Sequence, residues 1–525
     1  ESEAAAWRPA GNPWLIAVTV SLAAFMEVLD TAIANVALPH IAGNLGVSND
    51  QSTWVLTSYL VANAIVLPIT GWLVSLFGRK RFFMTCMGIF TLSSLFCGLA
   101  PSLGYLLLFR VLQGAGGGGL QPMAQAILAD TFPPEKRGLA FSIYGITAVC
   151  APAIGPTLGG WLTDTTSWRW IFLINLPVGL LALALVFRLV EDPPHVVRRK
   201  ISQIKLDYVG FSLLALGVGA LQIMLDKGQE DDWFSSHFIL VLAITAGLCL
   251  TALVFYEWFH DDPIVDVRLF KNSNFATANM MMFMVGAVSF ATTVLMPLYL
   301  QTLMGYTAES AGMVLSVSAV LLLFELPLVG RLIGAFQSRY LIAFGWIALA
   351  VGMYISTQNL DLLISFRSAT LLRIGQYLPL GFIFVPATTV AYIGIREDKS
   401  NAVAGLVNFT RNIGSSVGTS IVTTMIVRRS QFHQERLVTG RNMAAGLHGA
   451  MGGLVQQLTQ SGLSLHSAQK QALARIYAAV QAQAAALAYI DTFWVLGAAA
   501  IAMFGLSFVL KKNDPRGGGS TVPAH

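Results

Sequence analysis

The stretch LAAFMEVLDTAIANVALPHI (residues 22–41) sets two carboxylates, Glu27 and Asp30, three residues apart in an otherwise apolar run. On a helix, residues i and i+3 share a face, so both acids point the same way. A carboxylate at the middle of a membrane-spanning helix costs about 2.5–3.5 kcal/mol on insertion scales, and the pair therefore opposes insertion by roughly 5–7 kcal/mol. That cost is tolerable where the acids face a watery cavity or a cation. Like charges this close resist ionising together, and an oily setting favours the neutral acid. At least one of the two is a candidate to bind and release a proton. The alternative is a buried hydrogen-bonded pair, or a carboxylate–arginine bridge that only locks this helix to a neighbour.

Arg110, in LLLFRVLQGAGGGGLQP (106–122), is the natural cation. Its guanidinium cannot discharge to escape the membrane, so it must sit in the bundle interior. Close to a carboxylate it holds the acid ionised; withdrawn, it frees the acid to take up a proton. Arg373 holds the equivalent place later in the chain, and Gln113 and Gln376 each follow their arginine by three residues. Arg411, in NFTRNIGSSVGTS (408–420), is a third intramembrane cation, with Asn408 nearby. For Arg373 and Arg411 a purely structural role between helices is the other reading. Glu325, in LLLFELPLVGRL (321–332), joins Asp30, Glu27 and Arg110 as a proton-coupling candidate. Its bland reading is a hydrogen bond to a neighbouring helix. Asn35, Gln113, Gln376, Arg373, Asn408, Arg411 and Met284 are candidates to line a substrate cavity. Met280–Met282 and Met284 could accept varied ligands because methionine adapts its shape; lipid- or core-facing filler is the alternative.

These residues need membrane helices to hold them. The 525-residue chain is 55% hydrophobic and only 11% charged, far below the roughly 25% charge of soluble proteins. Apolar runs long enough to span a bilayer fall at about 14–36, 52–74, 82–100, 104–128, 139–161, 170–188, 206–225, 237–258, 275–300, 310–330, 340–357, 367–392, 402–427 and 490–510. The expected fold class is an all-α membrane protein of fourteen helices. With both termini inside, the inner segments hold 20 of the 32 Lys and Arg residues, and the six short outer loops hold only Arg169, Lys227 and Arg367. This is the positive-inside pattern, and it explains the net charge of +5 without nucleic acid. Four dispersed cysteines suggest neither a disulfide framework nor a metal cluster. Eight histidines at helix ends, loops and tail argue against a membrane-embedded enzyme.

The sequence repeats itself. LPITGWLVSLFGRKRF (67–82) matches LPLVGRLIGAFQSRYL (326–341) at an offset of 259, and the Arg110 and Arg373 segments also correspond. Two six-helix halves follow: 1–190, and 275–510 with a long outer helical loop at 428–489. Residues 206–258 are two inserted helices, flanked by inner linkers 191–205 and 259–274, and 511–525 is a disordered inner tail. Parallel halves of this kind characterise transporters that rock about a site at the bilayer midplane. AVCAPAIGPTLGGWL (148–162) packs Pro152, Gly155, Pro156, Gly159 and Gly160 into one helix, predicting a bend against a tight interface. GAGGGG (114–119) has no Lys with Ser or Thr after it, so close packing or an open backbone surface, not phosphate binding, accounts for it.

Four motifs in order resemble the major facilitator superfamily, in particular its fourteen-helix drug:proton antiporter branch of EmrB type. LDTAIANVALP (29–39) looks like that branch's first-helix signature, with Asp30 at its acidic position. GWLVSLFGRKR (71–81), with Gly71, Gly78, Arg79, Lys80 and Arg81, looks like the inner loop between helices 2 and 3. RVLQGAGGGG (110–119) and APAIGPTLGG (151–160) are similar to the helix 4 and helix 5 motifs. The inner-loop motif usually carries Asp where this chain has Ser75, and Asp130, at the inner end of helix 4, could replace it. The resemblance implies a bacterial inner-membrane exporter of hydrophobic or amphipathic compounds, driven by the proton gradient and without a cofactor. It also implies a periplasmic adaptor and an outer-membrane channel as partners, besides membrane lipids and drug-like substrates. A narrower exporter of a metabolite, fatty acid or siderophore is the nearest rival; an ion channel is a more distant one.

Overall fold

The computed structural model describes residues 9, 11–193, 207–261, 263–439 and 441–511. The basic linker run 196–205 and the tail from 512 lie outside the described residues.

The first half comprises α1 (Pro13–Leu45), α2 (Asn49–Phe77), α3 (Arg79–Gly98), α4 (Leu103–Gly117), α5 (Leu120–Thr131), α6 (Pro134–Thr165), α7 (Trp170–Leu173) and α8 (Asn175–Leu189). The inserted pair is α9 (Tyr208–Lys227) and α10 (His237–Phe259). The second half comprises α11 (Ser273–Thr302), α12 (Ala308–Leu332), α13 (Ser338–Asn359), α14 (Phe366–Tyr377), α15 (Pro379–Val390), α16 (Ser400–Thr439), α17 (Arg441–Gln460) and α18 (Leu465–Leu506). No strand occurs among the described residues.

Among the described residues, eleven helices are long and apolar enough to cross a membrane, and the bent α6 makes twelve. The other two expected spans, 104–128 and 402–427, are helical but interrupted or less apolar. The first is broken into α4 and α5 at Gly118–Gly119, where weak helix formers precede Pro122. In the second half α14 and α15 break likewise at Leu378, because Pro379 cannot donate a helical hydrogen bond. α6 bends by 47° around Pro152. α16 does not stop near 427: its sequence offers no Gly or Pro until 440, so it projects as a 40-residue helix. α18, 42 residues long, returns from the projection into the membrane. A small core of Leu458, Ala468 and Ala472 joins α17 to α18.

The backbone of Lys511 bonds Asn274 at 3.0 Å, and the Trp14 ring packs on Phe132 at 4.7 Å. Both described chain ends therefore lie at one end of the bundle with Arg79 and Lys399, here the basic end. The opposite, loop end carries the projection. Large apolar side chains such as Leu180, Phe255 and Phe324 are exposed around the bundle, as a lipid-facing belt requires. The inserted α10 is the most peripheral span, with only 17% of its apolar window buried.

Candidate functional site

Asp30 and Arg110 form an ion pair of 2.7 Å, with the acid 2% and the arginine 0% exposed. Asp30 Oδ2 accepts from Arg110 Nη1, and its Oδ1 accepts from Gln113 Nε2 at 2.9 Å and Asn175 Nδ2 at 2.7 Å. Arg110 also donates from Nε to the Val55 carbonyl at 3.0 Å and lies over the Tyr59 ring at 4.2 Å. Ser94 Oγ accepts from Gln113 and Asn175. All of these groups belong to the first half. The acid is therefore compensated by a cation and two amides. It does not face an aqueous cavity, as the cost of insertion left equally open.

Glu27 is 3% exposed and forms no ion pair among the described residues. Its Oε1 accepts from the Tyr59 hydroxyl and Asn63 Nδ2, each at 2.9 Å, and its Oε2 accepts from Gln121 Nε2. Gln121 Oε1 accepts in turn from Arg411 Nη2 on α16 of the other half. A second chain crosses the same seam: Tyr144 donates to Asn408 at 2.8 Å, and Asn408 donates to Gln125 at 2.7 Å. The two acids that begin as one motif thus end in different networks. Close backbone approach makes this possible. Any Cβ at Gly117 would strike the Tyr59 hydroxyl at 2.5 Å, and one at Gly116 the Cys86 carbonyl at 2.7 Å. Gly155 similarly lets α6 lie against Ala32 of α1 and Gly159 against Ile33, whereas a Cβ at Gly160 would lie 4.0 Å from Val36.

At the basic end, Arg79 pairs with Asp130 at 2.7 Å. It also donates to Asn401 of the second half at 3.2 Å, and Ser400 donates to Asp130 at 3.2 Å. Ser75 only bonds its own helix, at the Trp72 carbonyl, so the structure brings Asp130 to the arginine where Ser75 has no acid to offer. Gly78 adopts φ +79° at the turn into α3, a conformation that favours glycine. Lys80 is held by Asp192 and the Phe187 carbonyl, whereas Arg81 is exposed. Gly71 packs on the Ala402 backbone, and the Phe141 and Tyr392 rings stack across the seam at 5.6 Å. The basic-end segments α5 and α15 each pack on the opposite half, against α16 and α6, whereas the loop-end segments α4 and α14 pack within their own halves. Contacts along α6 and α12 continue to Thr157 and Ser316, 3.3 Å apart.

In the second half, Arg373 is 0% exposed, donates to Thr293 at 2.9 Å and lies over the Tyr377 ring at 4.1 Å. Its Nε and Nη1 have no hydrogen-bond partner among the described residues. Gln376 donates to Ser356 at 2.9 Å. Glu325 is not brought to Arg373. It faces Gly381 of α15, with neither oxygen accepting a hydrogen bond among the described residues. Of the methionine run, Met281 and Met282 are buried core, Met280 is exposed and Met284 is half-buried. The run is therefore largely packing. Asn35 is exposed toward the loop end of α1. Reading the sequence missed Tyr59, Asn63, Gln121, Gln125, Tyr144 and Asn175. Lone amides inside apolar spans were the available signal for Asn63, Gln121, Gln125 and Asn175; the tyrosines gave none.

Two six-helix halves, joined by a pair of inserted spans and docked on each other, have the architecture of a secondary transporter. Residues 20–419 match the family model of the Major Facilitator Superfamily, and the chain belongs to that family. It is 40% identical to the multidrug export protein EmrB of Haemophilus influenzae over 81% of this chain and 82% of that one. With EmrB of Escherichia coli K12 it shares 35% identity over 96% of each chain, and with the fatty acid resistance protein FarB of Neisseria gonorrhoeae 37% over 86% and 88%. Among solved structures it is similar to the proton:xylose symporter XylE, with a TM-score of 0.61 at 14% identity over 96% of this chain and 97% of that one. At that identity the likeness speaks to the fold alone.

Proposed function

We propose that the protein exports several kinds of hydrophobic and amphipathic compound in exchange for protons, by alternating access, from a bacterial inner membrane. The basic end is cytoplasmic, as the distribution of Lys and Arg favours. The proton gradient is the driving force and no cofactor is needed. The buried Asp30–Arg110 pair carries this reading. A proton arriving on Asp30 removes the charge that Arg110 neutralises, so the two states of the acid differ strongly in how they hold α1 to α4. Such a differential is what a ligand needs to shift a conformational equilibrium. With Asp30 only 2% exposed, proton exchange requires the halves to move. The basic-end seal of Arg79, Asp130, Ser400 and Asn401 corresponds to the outward-facing side of the cycle. The α16–α18 projection is the surface offered to a periplasmic adaptor and, through it, an outer-membrane channel. The names of the two EmrB relatives support the multidrug range.

The test uses proteoliposomes with an imposed pH gradient. Asp30→Asn is expected to abolish substrate-driven proton flux; unchanged flux removes Asp30 from the coupling step. The similarity to FarB favours a second reading, a narrower exporter of acidic amphiphiles. A panel of unrelated dyes separates the two, since only a multidrug exporter moves several.

A further inference from the structure

The repeat places a buried arginine at matched positions of the two halves, Arg110 and Arg373, and among the described residues only Arg110 is paired with an acid. Asp30, Arg110 and Gln113 recur 263 positions later as Thr293, Arg373 and Gln376. The structure builds the sets alike. Each arginine reaches the same relative position on the first helix of its half: Asp30 at 2.7 Å from Arg110, Thr293 at 2.9 Å from Arg373. Each lies over a tyrosine ring, at 4.2 and 4.1 Å. Each glutamine donates to a serine, Ser94 at 3.2 Å and Ser356 at 2.9 Å. The difference is the carboxylate. Where the first half has an acid, the second has a hydroxyl, and among the described residues Arg373 leaves Nε and Nη1 without a partner, where Arg110 leaves only Nη2, although both residues are wholly buried. No acid pairs with Arg373 among the described residues, and Glu325 points elsewhere. A guanidinium cannot discharge to relieve this, and an uncompensated buried charge is strongly unfavourable.

We propose that Arg373, through its unpartnered Nε and Nη1, is an anion subsite that takes the carboxylate of an acidic amphipathic cargo molecule. That carboxylate fills the place Asp30 fills in the first half. The guanidinium fork matches a carboxylate in shape as well as charge. The position suits cargo: α14 belongs to the part of the central helices that packs within its own half, and Thr293, Ile374 and Gly375 are only half-buried. The proposal rests on the export reading for the route by which cargo arrives. The same donors suit a small inorganic anion, and the test separates the two sources.

The probes are 1-pyrenebutanoate, its methyl ester and 1-pyrenemethylammonium, titrated by fluorescence into the purified full chain. Two variants are compared with wild type: Arg373→Gln, which removes the cation, and Thr293→Asp, which supplies an internal carboxylate. Both are expected to weaken pyrenebutanoate binding at least tenfold and to change the ester and the ammonium less than twofold. Retained binding of those two probes shows that the variants are folded. If carboxylate selectivity is absent but chloride, exchanged for gluconate, raises the Tm of wild type and of neither variant, the anion is inorganic and the cargo assignment is overturned. Equal change for all three probes with no chloride effect overturns the subsite altogether and leaves Arg373 a structural cation. Uptake of 1-pyrenemethylammonium by wild-type proteoliposomes under a pH gradient tests the export reading by itself. Its failure would leave the binding result standing.

Discussion

Asp30→Asn changes one atom, and the structure says what that atom does. Asp30 Oδ1 accepts from Gln113 and Asn175, and Oδ2 accepts from Arg110. An asparagine can keep its oxygen on the two amides, but its NH2 then faces the Arg110 Nη1 donor. Turned the other way, it faces two amide donors. Either way a wholly buried guanidinium loses its only carboxylate. Breaking a buried pair by removing one partner costs about 3–5 kcal/mol, or roughly two to four powers of ten in the folding equilibrium. Most of that cost is the charge left behind, so removing both charges should recover much of it. In a double-mutant cycle with Arg110→Gln, the expected coupling is about 2–3 kcal/mol. Unfolding of the purified variants in detergent reads both quantities. A loss below about 1 kcal/mol for the single variant, the level of a surface pair, with strict additivity in the double, would show that the pair is not the buried, desolvated unit described here.

Gln121→Leu removes the amide between Glu27 and Arg411, leaving each without a hydrogen-bond partner it now has. At about 1–3 kcal/mol for each buried group, the expected loss is about 2–6 kcal/mol in an unfolding experiment, and a neutral outcome would discard the bridge. Asp130→Asn weakens the Arg79 clasp, so a cysteine placed at Ala402, where Gly71 packs, should react severalfold faster with a maleimide added from the basic end. An unchanged rate would mean that the clasp does not hold the seal. Gly155→Val drives a branched side chain into Ala32. Overpacking of this kind costs about 1–3 kcal/mol, and transport should fall with it; wild-type stability and flux would refute the close α1–α6 contact.

The sequence was most legible where apolarity and charge do the positioning. The hydrophobic runs located the helices because every spanning segment must satisfy its own backbone in lipid. The repeat around Arg110 and Arg373 was visible because residues so costly to bury stand out in an apolar run. Breaks inside spans were harder to read. The glycines at 114–119 and Pro379 gave the composition of an interruption but not its place, because close packing can also tolerate such residues in a continuous helix. The cross-half network was the least legible. Gln121, Tyr144 and Asn408 meet only after two bundles dock, and tyrosine in an apolar span reads the same whether its hydroxyl is bonded or not. The pairing of Asp130 with Arg79 could be anticipated only once Ser75 was seen to lack the acid.

The spacing of Glu27 and Asp30 takes its meaning from how differently the two are satisfied. Asp30 meets a cation, and every partner it has lies in its own half. Glu27 meets three uncharged donors, one of which is itself tied to Arg411 across the seam. On the proposed antiport, a proton on Asp30 would act locally, on the hold between α1 and α4. Opening the basic end must break the bonds that run from Glu27 through Gln121 to α16. On that reading neither network alone would couple proton to movement: among the described residues the hydrogen bonds of Asp30 stay within its own half, and Glu27 has no ion pair to switch. Three residues apart on one helix, they share α1, so on the proposed mechanism a shift that Asp30 imposed on α1 would be delivered to the seam at Glu27. A soluble protein could place two such groups on a loop. In a membrane each has to be matched by fixed donors, and that requirement explains both the cluster of amides around them and the glycines that let the neighbouring helices come close enough to supply it.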